Sequence, residues 1–74
     1  MTEREFYNEL AKILEMPAED VRADTILTGR EAWDSLGVLS FVALCDEKLG
    51  VQLAVGVLAN CTTAADLAKA AGVL

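Results

Sequence analysis

Apolar residues recur at helical spacing in three stretches of the chain. In the first, Phe6, Leu10, Ile13 and Leu14 fall on one stripe while Glu5, Glu9 and Lys12 point elsewhere. Thr2-Glu3-Arg4-Glu5 has the form of a capping box, in which the Thr2 hydroxyl accepts from the Glu5 N–H and the Glu5 carboxylate reaches back to Thr2. A helix is therefore predicted from about Glu3, with Pro17 ending it. In the second stretch, Ser35 to Leu49, a wheel at about 100° per residue puts Val38, Phe41, Val42, Cys45 and Leu49 on one face and Leu36, Leu39 and Ala43 on the other. Asp34-Ser35 opens it and Gly50 stops it. In the third, Thr63 followed by Asp66 repeats the capping pattern, and Leu67, Ala68, Ala71 and Leu74 make the stripe.

Between these stretches the pattern weakens. Ala54 to Ala59 supports at most a short helix, because Gly56 interrupts it, and Val51-Gln52-Leu53 is extended or irregular. From Pro17 to Asp34 the periodicity dissolves into turn-forming residues, with isolated apolar anchors at Val21, Ile26, Leu27 and Trp33. Loops longer than about 12–15 residues in compact domains are usually functional or disordered, and apolar anchors along this one favour function. The pattern predicts an all-α four-helix bundle with three main helices, one short third helix and a long first loop that allows helices one and two to run near-parallel. No repeat or low-complexity segment interrupts it.

The two apolar faces of the second helix carry the most information. One face suffices to cover a core, so Leu36, Leu39 and Ala43 are either buried by another element or kept for a partner. Asp46 and Glu47 continue that second face into solvent, which favours the partner.

Length and composition narrow the function classes. The 74 residues make one domain, expected to span 1–74, and a domain of this size buries only about 60% of its unfolded surface. That leaves no deep catalytic chamber, and the chain is not expected to be an enzyme. Twelve acidic against six basic residues give a formal charge of −6, a field that repels nucleic acid and anionic lipid surfaces. No apolar run approaches the roughly 18 residues of a spanning helix, so neither nucleic acid nor membrane is an expected partner. Histidine is absent, which removes the commonest general base and metal ligand together. Cys45 and Cys61 lie too far apart for a CxxC motif, fit no zinc site and are too few for a disulfide scaffold. Both are expected to be buried and reduced, in a cytoplasmic protein.

Ser35 is the one nucleophile-type residue placed for exposure at a helix start. A serine there is most often a cap, and with no histidine and no suitably placed lysine it lacks the base of a nucleophilic triad. Free N–H groups and the helix dipole do, however, suit an attached phosphate ester. On this reading Ser35 is a post whose reactive group another enzyme attaches.

Trp33-Asp34-Ser35-Leu36, followed by an apolar helix ending Asp46-Glu47-Lys48-Leu49-Gly50-Val51, resembles an acyl carrier protein. The resemblance spans the whole chain and includes the Thr62-Thr63 step into the last helix. It implies a four-helix bundle whose serine, here Ser35, receives 4′-phosphopantetheine from coenzyme A through a phosphopantetheinyl transferase. The terminal thiol of that arm holds acyl groups as thioesters and delivers them to acyl-loading and acyl-using enzymes of fatty-acid, polyketide or related biosynthesis. Asp34 is then the carboxylate that helps present Ser35, or else a simple cap. Leu36, Leu39 and Ala43 fall where the family contacts partner enzymes, and Asp46 and Glu47, the acids that continue their face, are expected to border that contact. A free-standing monomer is expected from the Met start and the four-helix length.

This chain departs from the family pattern along the second helix. Many carriers place an acidic residue two after the serine and more acids beyond it, where this chain has Gly37, Ser40 and Lys48. Met1 to Ser35 holds nine acids and four bases, net −5, whereas Leu36 to Leu74 holds three and two, net −1. These departures suggest a dedicated pathway with apolar docking, and Gly37 is expected to weaken its helical turn by up to about 1 kcal/mol against alanine. Two alternatives stay open. An aminoacyl or peptidyl carrier shares the fold, although such modules more often carry Gly-Gly before the serine than Glu31-Ala32-Trp33-Asp34. A helical interaction module without cofactor would make Ser35 an ordinary cap.

Overall fold

The computed structural model describes all residues, Met1–Leu74. Helix α1 spans Glu3–Leu14 behind the expected capping box: Glu5 N–H donates to Thr2 Oγ1 at 3.1 Å and Thr2 N–H to Glu5 Oε1 at 2.9 Å. Proline does not end it. Glu15 takes the left-handed conformation at φ 57°, and the N–H groups of Glu15 and Met16 both turn back to the Ala11 carbonyl, closing the helix before Pro17 is reached. Pro17 instead leads a single 3-10 turn, Ala18–Asp20, inside the long connection.

Helix α2 spans Ser35–Leu49 and stops at Gly50, whose φ of 65° lets its N–H return to the Cys45 carbonyl. Helix α3 is one turn, Val55–Leu58. Helix α4, Ala64–Ala70, starts from the second capping box, in which Asp66 N–H donates to Thr63 Oγ1 at 3.3 Å and Thr63 N–H to Asp66 Oδ2 at 3.0 Å. Its stripe is Leu67, Ala68 and Ala71; Leu74, expected to extend it, lies past the last turn and is exposed.

Helices α1 and α2 run in opposite senses, which corrects the near-parallel expectation. Lys12, Ile13 and Glu15 at the end of α1 border a groove with Leu36, Gly37 and Ser40 at the start of α2, whereas Glu9 reaches Lys48 near the end of α2 at 3.9 Å. The long connection is spent on an excursion down the molecule and back. Arg4, at the far end of α1, donates from Nη2 to the carbonyls of Ala18 at 2.8 Å and Val21 at 3.0 Å. The chain then passes the start of α4, where Ala64 N–H donates to the Thr25 carbonyl and Ala65 N–H to the Ala23 carbonyl, both at 2.9 Å. These are donors that a helix start leaves without intrahelical partners. Leu27 N–H returns a bond to the Thr62 carbonyl at 2.8 Å. Val21 and Leu27 are fully buried anchors, as expected, but the Ile26 side chain is 49% exposed and contributes its backbone, bridged to Thr63.

The core is one cluster drawn from α1, the connection, α2, α3 and α4. Phe41 lies at its centre, edge-on to Phe6 of α1 with centroids 5.7 Å apart and to Trp33 of the connection at 5.9 Å. Such aromatic pairs contribute beyond the area they bury. Tyr7, beside the α1 stripe, is buried as well. Its hydroxyl donates to Glu3 Oε2 at 2.9 Å, and burial together with that bond pushes the phenol up to about 12. Cys45 is fully buried and its thiol is pushed up to about 11 by burial. Cys61 is only half-buried, because it lies in the connection between α3 and α4, and its Sγ donates to the Val57 carbonyl at 3.6 Å. Burial first, and the Asp66 charge second, raise its thiol as well.

Replacing Phe41 by alanine should cost about 3–5 kcal/mol, much of the roughly 5–15 kcal/mol that typically holds a domain together. Urea denaturation followed by circular dichroism should show the midpoint collapse, whereas a fall no larger than that of Lys69→Ala would contradict the central place given to Phe41. The two thiols should separate in reactivity. With an aromatic disulfide reagent near neutral pH, Cys61 should label before Cys45, and Cys45 only as the fold opens. Because Cys45 holds its proton more tightly folded than unfolded, its contribution is intact below the unfolded thiol range and fades as pH rises towards about 11. Equal labelling rates for both thiols would refute this assignment.

Candidate functional site

The first turn of α2 is shaped by Asp34. Its extended backbone, φ −107° and ψ −166°, places Oδ1 to accept from Gly37 N–H at 2.9 Å, while its own carbonyl accepts from Val38 N–H at 2.9 Å. Asp34 is therefore the cap, and Ser35 is the first residue of the helix proper. The common role of a serine at such a place is already taken. Ser35 is exposed, and the N–H groups of Ser35 and Leu36 remain at the positive end of the helix without intrahelical partners.

Ser35 lines one groove, and its neighbours Asp34 and Leu36 line a second. One, of about 410 Å³, is lined by Trp33, Asp34, Ser35, Val38, Leu39 and Val55. The other, of about 700 Å³, lies between the end of α1 and the start of α2, where Ile13, Ala32 and Leu36 meet Lys12, Glu15, Glu31 and Asp34. Acids outnumber bases in the larger groove, and no side chain lining either groove could act as a base for Ser35 in the manner of an imidazole. No group of three or more histidine, cysteine or acidic side chains is arranged to hold a metal ion.

The residues predicted for partner contact share the solvent-facing arc of α2. Leu36 is 74% exposed and Leu39 55%, and Ala43, Asp46 and Glu47 are exposed below them. Phe41 and Cys45 occupy the opposite, buried side, with Val38, Val42 and Leu49 half-buried between. Sequence reasoning missed the continuation of this surface onto α3, where Val55 and Val57 are about half exposed. A signal was present: a four-residue helix reading Val-Gly-Val-Leu can bury only one side, and Leu58 takes it. Sequence reasoning also took Gly37 only as a weak point. It is buried, and a Cβ there would overlap the carbonyl oxygen of Ala32, so the first turn of α2 needs a glycine to let the connection pass.

An accessible hydroxyl with N–H groups beside it that have no intrahelical partner, an open groove next to it and no activating base fits a group received from elsewhere. The family model described as phosphopantetheine attachment site matches residues 4–71. No curated protein and no solved structure matches the chain significantly. The helical bundle and the family model agree, and the chain belongs to the phosphopantetheine-attachment family of helical carrier domains, which bear a covalently attached 4′-phosphopantetheine.

Proposed function

We propose that Ser35 is the attachment residue and that residues 1–74 form a single acyl-carrier domain, holding acyl groups as thioesters for a biosynthetic pathway of the fatty-acid or polyketide kind in the cytoplasm. The observation that carries this reading is that Ser35 stands exposed at the start of α2 while Asp34 does the capping. The arm supplies a flexible tether ending in a thiol. Loading joins the phosphopantetheinyl phosphate of coenzyme A to Ser35 Oγ, with adenosine 3′,5′-bisphosphate leaving and the hydroxyl proton going to a base of the transferase. This chain contributes the hydroxyl, the positive helix end beside the phosphate and the Asp34 carboxylate, which its bond to Gly37 holds next to Ser35. The Glu31-Ala32-Trp33-Asp34 approach, lacking Gly-Gly, favours acyl over aminoacyl or peptidyl cargo.

Incubation of the apo protein with coenzyme A and a broad-specificity transferase should add one phosphopantetheine mass, and Ser35→Ala should abolish the addition. Wild-type protein left unmodified by several transferases would falsify the assignment and favour a helical interaction module.

The exposed arc of Leu36, Leu39 and Ala43, with Asp46 and Glu47 at its lower end, is the surface we assign to the transferase and to acyl-loading and acyl-using enzymes. A fully buried leucine is worth roughly 1.5–3 kcal/mol and an exposed ion pair about 0–1. Leu39→Ala should therefore slow acyl transfer to the partner enzyme more than Asp46→Ala or Glu47→Ala, at low and high salt alike. A larger, steeply salt-dependent loss for either acid would show that charge governs docking.

A further inference from the structure

Gly37 differs from every other glycine of the chain. A Cβ on Gly29, Gly50, Gly56 or Gly72 would meet nothing within 4 Å, whereas on Gly37 it would overlap the Ala32 carbonyl oxygen and stand 3.3 Å from the Ala32 carbonyl carbon. The same residue is held a second time through its N–H, which donates to Asp34 Oδ1 at 2.9 Å. Residues 32 to 37 thus form a short closed turn, in which the Ala32 carbonyl packs against Gly37 and the Asp34 cap ties the start of the helix. Trp33, inside that turn, is fixed by its ring against Phe41 and by its N–H to the Arg30 carbonyl at 3.1 Å. Ser35 is carried by this closed segment.

We propose that Gly37 is a positioning residue for Ser35: its missing side chain lets the Ala32 carbonyl seat on the first turn of α2, and that seat sets where the Ser35 hydroxyl is presented to the loading enzyme. The inference rests on the reading of Ser35 as the loaded residue. Helix propensity alone would make the opposite demand, since alanine is the better helix former at position 37. The glycine is kept by the carbonyl seated on it.

The test compares wild type, Gly37→Ala and Ala32→Gly as apo substrates of one transferase with coenzyme A, at a temperature where circular dichroism shows each folded. Trp33, the only tryptophan, reports the position of the connection through its fluorescence. Gly37→Ala should shift Trp33 emission and lower kcat for loading by about tenfold or more with KM little changed, in keeping with the cost of displacing a reacting group by about an ångström. Ala32→Gly, which adds no atom and loosens the other side of the seat, should move both readouts the same way by less, and carries the comparison if Gly37→Ala does not fold. Wild-type rates and emission in the folded variants would overturn the proposal, as would slower loading without a Trp33 shift, which would put the effect in the helix. Failure of wild-type protein itself to be loaded would instead strike the assignment of Ser35, leaving the Trp33 shift to report on the seat alone.

Discussion

Phe41 is the contact through which α2 meets both α1 and the long connection. A domain of 74 residues has one thin core, and here a single fully buried ring meets α1 through Phe6 and the long connection through Trp33. The ring belongs to α2, the helix that also presents Ser35, so the element bearing the site is fixed from below by the core. The reactive end needs no core of its own. Ser35, Leu36 and Leu39 can all stay in solvent because Phe41 and Cys45, on the opposite side of the same helix, supply the burial that keeps α2 in place.

The long connection is the second structural debt of such a small fold, since it carries backbone polar groups that no helix satisfies. It meets this by exchange. The carbonyls of Ala23 and Thr25 take the first N–H groups of α4, Leu27 bonds the Thr62 carbonyl, and Arg4 takes the carbonyls of Ala18 and Val21. Two sets of unpartnered groups, those of the connection and those of a helix terminus, satisfy each other. Thr25 completes the arrangement from within: buried, it accepts from Arg22 N–H at 2.8 Å and donates to the Asp20 carbonyl at 3.4 Å. The excursion down the molecule and back then returns Ala32 and Trp33 to the start of α2, where they shape the site.

What could be read in advance was whatever depends on local pattern. The two capping boxes, the bounds of α2 and the division of its faces between Phe41 and Leu36 all follow from residues within one or two turns of each other. Errors fall where a backbone conformation or a contact that the apolar pattern does not carry decides. The end of α1 is set by the left-handed Glu15 before Pro17 can act, Ile26 is held by its backbone while its side chain stays out, and the opposed directions of α1 and α2 depend on where Arg4 catches the connection. Gly37 is the instructive case. As a residue in a helix it costs stability, and only the approach of Ala32 from five residues upstream turns it into a requirement. The acid that many carriers place two after the serine is excluded here by that same carbonyl.

The charge count along the chain takes on a different meaning once the chain is folded. Acids gather before Ser35 in sequence, and three of them, Glu15, Glu31 and Asp34, border the groove on the α1 side of Leu36 against a single base, Lys12, so that groove has a negative rim even though α2 is sparsely charged. Exposed charges of this kind act over about one Debye length, roughly 8 Å at physiological salt, and each pairing contributes little once formed. Their larger effect is on encounter, where a negative rim would steer a basic partner docking on the proposed surface. Residence then depends on what is desolvated, and beside Ser35 that is Leu36, Leu39 and the valines of α3. On the docking surface proposed above, steering and holding would fall to different elements: the connection and the end of α1 would supply the field, and α2 and α3 the contact. A carrier that must be released after each delivery gains from that division, because the apolar contact can stay small without slowing the approach.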